Sequence, residues 1–160
     1  MKSKSMAKWL KFILFGAAAC GLAVYLWIIP EMGKTIAAWD NGAFAPFYWP
    51  WLIFLWATGV PCFAALVLAW KIAGNIGADR PFSLANAGLL KGIARLAAGD
   101  AAFFFLGNVV LLLLNMNHPS VVLCSLLLVF AGAAIAIASA ALSHLVRRAA
   151  ELQEQSDWTI

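Results

Sequence analysis

The chain has 160 residues, 64% of them hydrophobic and 11% charged, with a mean hydropathy of +0.90 and a formal net charge of +4. That much apolar surface does not fit inside a water-soluble globule of this size, so the excess must face lipid. The cations are not gathered into a stripe on a soluble surface, which excludes direct nucleic-acid binding. The composition predicts an all-α integral membrane protein.

No Asp, Glu, Lys or Arg occurs between Lys11 and Glu31, and a helix needs about 20 mostly apolar residues to cross the hydrocarbon. The first span is therefore placed at about 9–29. Lys2 to Lys11 and the Ala17-Ala18-Ala19-Cys20 stretch resemble an export signal, but the apolar run continues to Ile29, which argues for an uncleaved span. An outer loop, 30–50, follows. It contains a short amphipathic stretch, Met32 to Trp39, and with Trp51 the aromatic set Trp39, Phe44, Phe47, Tyr48 and Trp49. An aromatic belt at headgroup level accounts for these rings. The alternative is a lid or a sensor of hydrophobic ligands.

The second span is placed at about 51–70, ended by Lys71, with Pro61 as a candidate hinge because proline removes a backbone donor and crowds the preceding turn. Ser83 is a plausible N-cap after Arg80-Pro81-Phe82, so an inner amphipathic helix is expected from about 84, entering the bilayer as the third span at 95–114. Asp100 and Asn108 are its intramembrane polar residues. Measured from Arg95, Asp100 lies about 7 Å into the hydrocarbon, where an unpaired carboxylate is costly. It is read either as a proton- or ligand-responsive group or as an interface carboxylate neutralised by Lys71, Arg95 or a neighbouring hydroxyl. Asn108 is expected to hydrogen-bond across helices.

Asn115-Met116-Asn117-His118-Pro119-Ser120 is turn chemistry. A fourth span at about 121–142 then continues into a cytoplasmic tail, 147–160. Gly132, Ala136 and Ala140, with Ser139 and Ser143 nearby, form a small-residue pattern that serves either the internal bundle or a homodimer. With the N-terminus inside, ten of the eleven Lys and Arg fall on the inner side and only Lys34 outside. The expected architecture is a four-transmembrane-helix bundle with both termini cytoplasmic.

Cys20, Cys62 and Cys124 stand one per span without a Cys-x-x-Cys pair, and His118 and His144 fall at opposite membrane faces. No metal site, haem or other cofactor is expected from them. No nucleophile-base pair or phosphate loop is evident in the sequence, so no catalytic residue is assigned and the chain is not expected to be an enzyme.

Two inner segments concentrate specific side chains. Pro81-Phe82-Ser83 is followed by Asn86 and a Leu/Lys/Ile run; the chain ends Glu151-Leu152-Gln153-Glu154 through Asp157-Trp158-Thr159-Ile160. With these motifs and four spans, the sequence resembles the bacterial membrane proteins of domain-of-unknown-function family 2975 over essentially its whole length. The family's tail usually carries a further acidic residue and Asn where Gln155 and Ser156 stand, and Leu at Trp158. Family members are often encoded beside a small helix-turn-helix regulator. The resemblance thus implies a multi-pass protein of the bacterial cell membrane that holds or releases such a partner. Arg80, Pro81, Phe82, Ser83, Asn86, Glu151, Gln153, Glu154, Asp157 and Trp158 are the candidate contacts. The alternative expectation is a small proton-coupled transporter or channel built on Asp100.

Overall fold

The computed structural model describes residues 3–157, all helical or in the turns between helices. The first helical run begins as α1 (Ser3–Ala23), widens into a single π turn (Val24–Ile28) and continues as α2 (Ile29–Ala37). A short α3 (Trp39–Gly42) and a 3-10 turn (Ala45–Phe47) lead into α4 (Tyr48–Gly77), which is followed by α5 (Leu84–Leu113) and α6 (Pro119–Asp157). Four stretches are long and apolar enough to cross a membrane: Ser3–Ala37, Ala45–Gly77, Leu84–Leu113 and Pro119–Ser156. The first, second and fourth extend beyond the hydrophobic runs that marked them in the sequence, while the third starts at Leu84 and stops at Leu113.

The π turn has a local cause. Pro30 has no amide hydrogen, and its ring crowds the carbonyl four residues earlier. Widening the helix just before it relieves that clash, and the amide of Ile29 reaches back to the carbonyl of Val24. The amphipathic stretch placed in the outer loop, Met32 to Trp39, is largely a continuation of this helix instead, since α2 runs on to Ala37.

Both ordered helix ends at the turns use asparagine or aspartate in the left-handed region. Asp79 (φ 57°) follows α4, with its amide on the Ile76 carbonyl and that of Arg80 on Asn75. Asn115 (φ 55°) does the same after α5, with amide bonds from Asn115 to Leu112 and from Met116 to Leu111. These paired bonds satisfy carbonyls that a helix end otherwise leaves open, and Asp and Asn tolerate the conformation better than most residues. Ser83 caps α5 as the sequence predicts, its hydroxyl accepting from the amide of Asn86 at 3.2 Å. Pro119, expected within the turn, is the first residue of α6, a position where its missing amide hydrogen has no helical acceptor to lose.

Packing follows chain order. The α1 helix lies on α4, α4 on α5, and α5 most extensively on α6. Among the described residues no extensive contact joins α1 to α6, so the four spans of the expected four-helix architecture stand as an open row. Water would force such a row to close around its apolar faces; lipid does not, because its tails solvate Leu and Phe as well as another helix does.

Small residues set the close approaches. A side chain at Gly132 would meet the methyl of Ala101 at 3.1 Å, so the small-residue pattern on α6 faces α5 through Gly132 and buried Ala136. Buried Ser143 adds a hydrogen bond to the Ala87 carbonyl at 2.7 Å. Ala140 is exposed. Between α4 and α5, the ring of Phe54 occupies the space above Gly107 and stacks on Phe104 with centroids 5.9 Å apart.

The helices alternate in direction. The start of α1 therefore meets the end of α4, where Ser3 donates to Asp79 and Ala7 packs on Gly77. Lys4, Lys8, Lys11, Lys71, Arg80, Lys91, Arg95, Arg147 and Arg148 all belong to this end of the row, and Lys34 to the other. Lys11 places its ammonium over the ring of Trp70, 5.4 Å from the centroid, an arrangement suited to a headgroup-level cation.

Candidate functional site

The most distinctive chemistry lies between the helices, inside the hydrophobic layer. The thiol of Cys62 on α4 donates to Asp100 Oδ2 on α5 at 3.4 Å. From the first span, the hydroxyl of Tyr25 approaches Cys62 Sγ at 3.9 Å and Thr58 Oγ1 at 3.2 Å. Thr58 gives its own hydrogen to the Leu55 carbonyl at 2.7 Å, so it accepts from Tyr25. Four polar side chains thus connect three neighbouring spans, and the second Asp100 oxygen, Oδ1, is buried without a hydrogen-bond partner.

The backbone places Tyr25 there for a specific reason. In an α-helix its carbonyl would accept from residue 29, but that amide is taken by Val24, and the next residue is Pro30, which has none. The orphaned carbonyl receives the indole of Trp56 instead, Nε1 to oxygen 2.9 Å. Gly59, beside buried Thr58, makes the space: a side chain there would stand 3.1 Å from the Tyr25 ring. The aromatic ring therefore seats directly on the α4 backbone, with its hydroxyl turned toward Thr58 and Cys62.

Depth can be read from α4. Cys62 follows Trp51 by eleven residues and precedes Trp70 by eight, about 16 Å and 12 Å along the axis. Asp100, held at the level of Cys62, thus lies about 12 Å along α4 from Trp70 while standing about 7 Å along α5 from Arg95. Neither Lys71 nor Arg95 neutralises it. Among the described residues the ion pairs are Lys34–Glu31 and Arg147–Glu151, and Asp100 belongs to neither.

Sequence reasoning singled out Asp100 and missed the rest. Cys62 reads as a small packing residue, and Tyr25 and Thr58 draw no attention. A signal was present: Tyr25 is a tyrosine inside the first apolar run, five positions before a helix-disturbing proline. The candidate hinge, Pro61, lies next to Cys62 within an α4 that is continuous across it.

Asn108 occupies a separate polar site. It is 2% exposed; its Nδ2 donates to the Phe104 carbonyl at 2.9 Å and its Oδ1 accepts from Asn117 at 3.1 Å. Its partner is thus the α5–α6 turn rather than another span. Asn117 Oδ1 in turn accepts from the amide of His118. The aromatic loop above contributes Phe44, Tyr48 and Trp51, with His118, to a recess of about 20 Å³. That is room for a water or two, not for a hydrophobic ligand, and Trp39 and Trp49 lie exposed.

The inner segments divide into two kinds of residue. Asn86 is 1% exposed and wholly engaged: it accepts from Asn75 at 2.7 Å and donates to the carbonyls of Arg80 and Pro81. Together with Ser83, the N-cap, it shapes the loop from within. Arg80, Pro81 and Phe82 are exposed on the loop that Asn86 holds. Glu151, Gln153 and Glu154 are exposed on the last turns of α6, with Glu151 paired to Arg147 at 3.3 Å. The side chains of Asp157 and Trp158 lie outside the described residues.

Comparison with known proteins agrees with this picture of a membrane protein. Residues 31–160 match the family described as protein of unknown function (DUF2975). The uncharacterized membrane protein YoaS of Bacillus subtilis (strain 168) is 26% identical over 142 residues, covering 87% of this chain and 88% of that protein. No solved structure matches. With four spans, the paired inner motifs and a family match over most of its length, the chain belongs to the DUF2975 family of membrane proteins.

Proposed function

We propose that this protein is a non-enzymatic membrane sensor of the bacterial cell membrane that binds a small helix-turn-helix regulator at its cytoplasmic face, both termini being cytoplasmic. The excess of Lys and Arg at the terminal end of the row supports that orientation. The observation that carries the reading is the loop before α5. A fully engaged buried asparagine holds Arg80, Pro81 and Phe82 outward, with Phe82 57% exposed. A rigid loop that displays an apolar ring beside a cation is an economical docking feature, because little conformational entropy is lost on binding. The exposed acidic turns of α6 lie at the same end of the molecule.

The test is to search the reading frames beside the gene for a short helix-turn-helix protein and to co-express it with this chain, followed by purification of the membrane protein in detergent. Phe82→Ala, and separately deletion of residues 149–160, should lower recovery of the regulator at least tenfold while leaving the membrane protein's yield unchanged. Equal recovery with both variants contradicts the reading.

Asp100 favours a second reading, a small proton-coupled transporter or channel, because it has no cationic partner and stands at the level of Cys62, between Trp51 and Trp70 on α4. Proton-coupled flux in vesicles, abolished by Asp100→Asn, is the measurement that would select it.

A further inference from the structure

Apart from the inner loop, the molecule presents the outer recess, the exposed faces of α1 and α6, the basic inner end and the Tyr25–Thr58–Cys62–Asp100 crossing. The recess is too small for a ligand beyond water, and nothing seats on the open helix faces. The crossing carries more.

Its hydrogens can be counted. With Asp100 ionised, Cys62 donates to Oδ2, and the single hydrogen of Tyr25 faces two acceptors, Thr58 Oγ1 and Cys62 Sγ. The other carboxylate oxygen, sharing the negative charge, stays enclosed with no donor. Adding one proton to Oδ2 reverses the chain. Asp100 then donates to Cys62 Sγ, the thiol to the Tyr25 oxygen, Tyr25 to Thr58, and Thr58 to the Leu55 carbonyl as before. Every hydrogen now has one acceptor, and Oδ1 becomes an ordinary acid carbonyl, a far cheaper group to bury unpaired than half of an anion. No heavy atom has to move, and the only bond formed is O–H.

The surroundings leave that role to a proton. Cys62 faces Asp100 from α4, and Tyr25 lies behind it on the first span. The stretch of α6 from Pro119 to Ser143 has Cys124 as its one titratable residue, and that side chain is exposed. On α5 itself the nearest cations, Arg95 and Lys91, are exposed and five and nine residues toward the inner end. A larger cation has no room at the enclosed oxygen. No group of three His, Cys, Asp or Glu among the described residues is arranged to hold a metal ion.

We infer that Asp100, Cys62 and Tyr25 form an intramembrane proton-binding site in which one proton on Asp100 sets the direction of a hydrogen-bond chain joining the first three spans. Because Tyr25 belongs to the π turn capped by Trp56, the proton's presence is felt where the first span is least regular. The inference depends on neither regulator docking nor transport, and the loss of either would leave it standing.

Infrared difference spectroscopy of the full chain in phospholipid nanodiscs, stepped in pH, tests it. Expected is a protonated-carboxyl stretch that Asp100→Asn removes and Glu31→Gln retains. A thiol stretch assigned by its loss in Cys62→Ala should shift as the carboxyl band disappears with rising pH. If Asp100→Asn does not assemble, Cys62→Ala alone must shift the carboxyl band, because it removes the acid's acceptor. A carboxyl band absent at every pH, or a thiol stretch that stays fixed through the titration, overturns the inference, as does a carboxyl band unmoved by Cys62→Ala.

Discussion

The indole nitrogen of Trp56 lies 2.9 Å from the carbonyl oxygen of Tyr25, a carbonyl that the π turn and Pro30 together leave without a backbone donor. An α4 side chain thus supplies a hydrogen bond to the first span at the point where that span is irregular. It also fixes the height of the Tyr25 ring against Thr58 and Cys62. The polar crossing between helices depends on this backbone repair.

Replacing Trp56 by Phe keeps the ring and removes the donor, leaving the Tyr25 carbonyl bare in hydrocarbon. Interhelical hydrogen bonds in membranes average about 0.6 kcal/mol and reach about 1.7; the absence of any backbone alternative puts this one toward the upper end. Unfolding in mixed detergent micelles should show a loss of about 1–2 kcal/mol. A loss indistinguishable from zero means that the carbonyl finds another donor.

Asn86 calls for a different substitution. Asn86→Leu preserves bulk but leaves the carbonyls of Arg80 and Pro81 and the amide of Asn75 without their partner. Each buried group left unpaired costs about 1–3 kcal/mol, less where water reaches the loop. Hydrogen exchange across residues 75–86 should accelerate at least tenfold, with α6 unaffected. Unchanged exchange in the loop would show that the Schellman turn at Asp79 holds it alone.

The fit of Phe54 over Gly107 predicts a compensating pair. Gly107→Ala places a methyl where the Phe54 ring lies, and overpacking of this kind costs about 1–3 kcal/mol. Phe54→Leu in the same chain should recover much of that loss, giving a coupling of about 1 kcal/mol or more in a double-mutant cycle. Strictly additive effects would separate the two residues.

Orientation is open to cysteine labelling in a background where Cys20, Cys62 and Cys124 are replaced by Ala. A membrane-impermeant maleimide applied to intact spheroplasts should modify Ala43→Cys in the outer loop and spare Ser156→Cys until the cells are broken. The reverse pattern would place both ends of the chain outside.

Much of the fold is legible in the sequence because lipid imposes simple requirements. Uncharged runs of about 20 residues give the spans, Ser83 gives the start of α5, and the Lys and Arg partition gives a sidedness. The candidate site is less legible. Asp100 stands out by the cost of its charge, whereas Cys62, Tyr25 and Thr58 are unremarkable residue types whose importance arises from which helix lies beside which. Asn86 looks like a surface motif residue in the sequence and proves to be the buried clamp of the loop, since the run Arg80-Pro81-Phe82 does not reveal that its carbonyls turn inward.

The sequence by itself determined that the chain is a four-span helical membrane protein, because hydrophobic length and charge scarcity act locally and need no knowledge of neighbours. Only the tertiary structure decided that the spans form an open row and that Asp100 is met by a thiol rather than a cation. Those outcomes depend on close approach at glycines, on a π turn forced by Pro30, and on a lipid solvent that leaves helix faces free to remain uncovered.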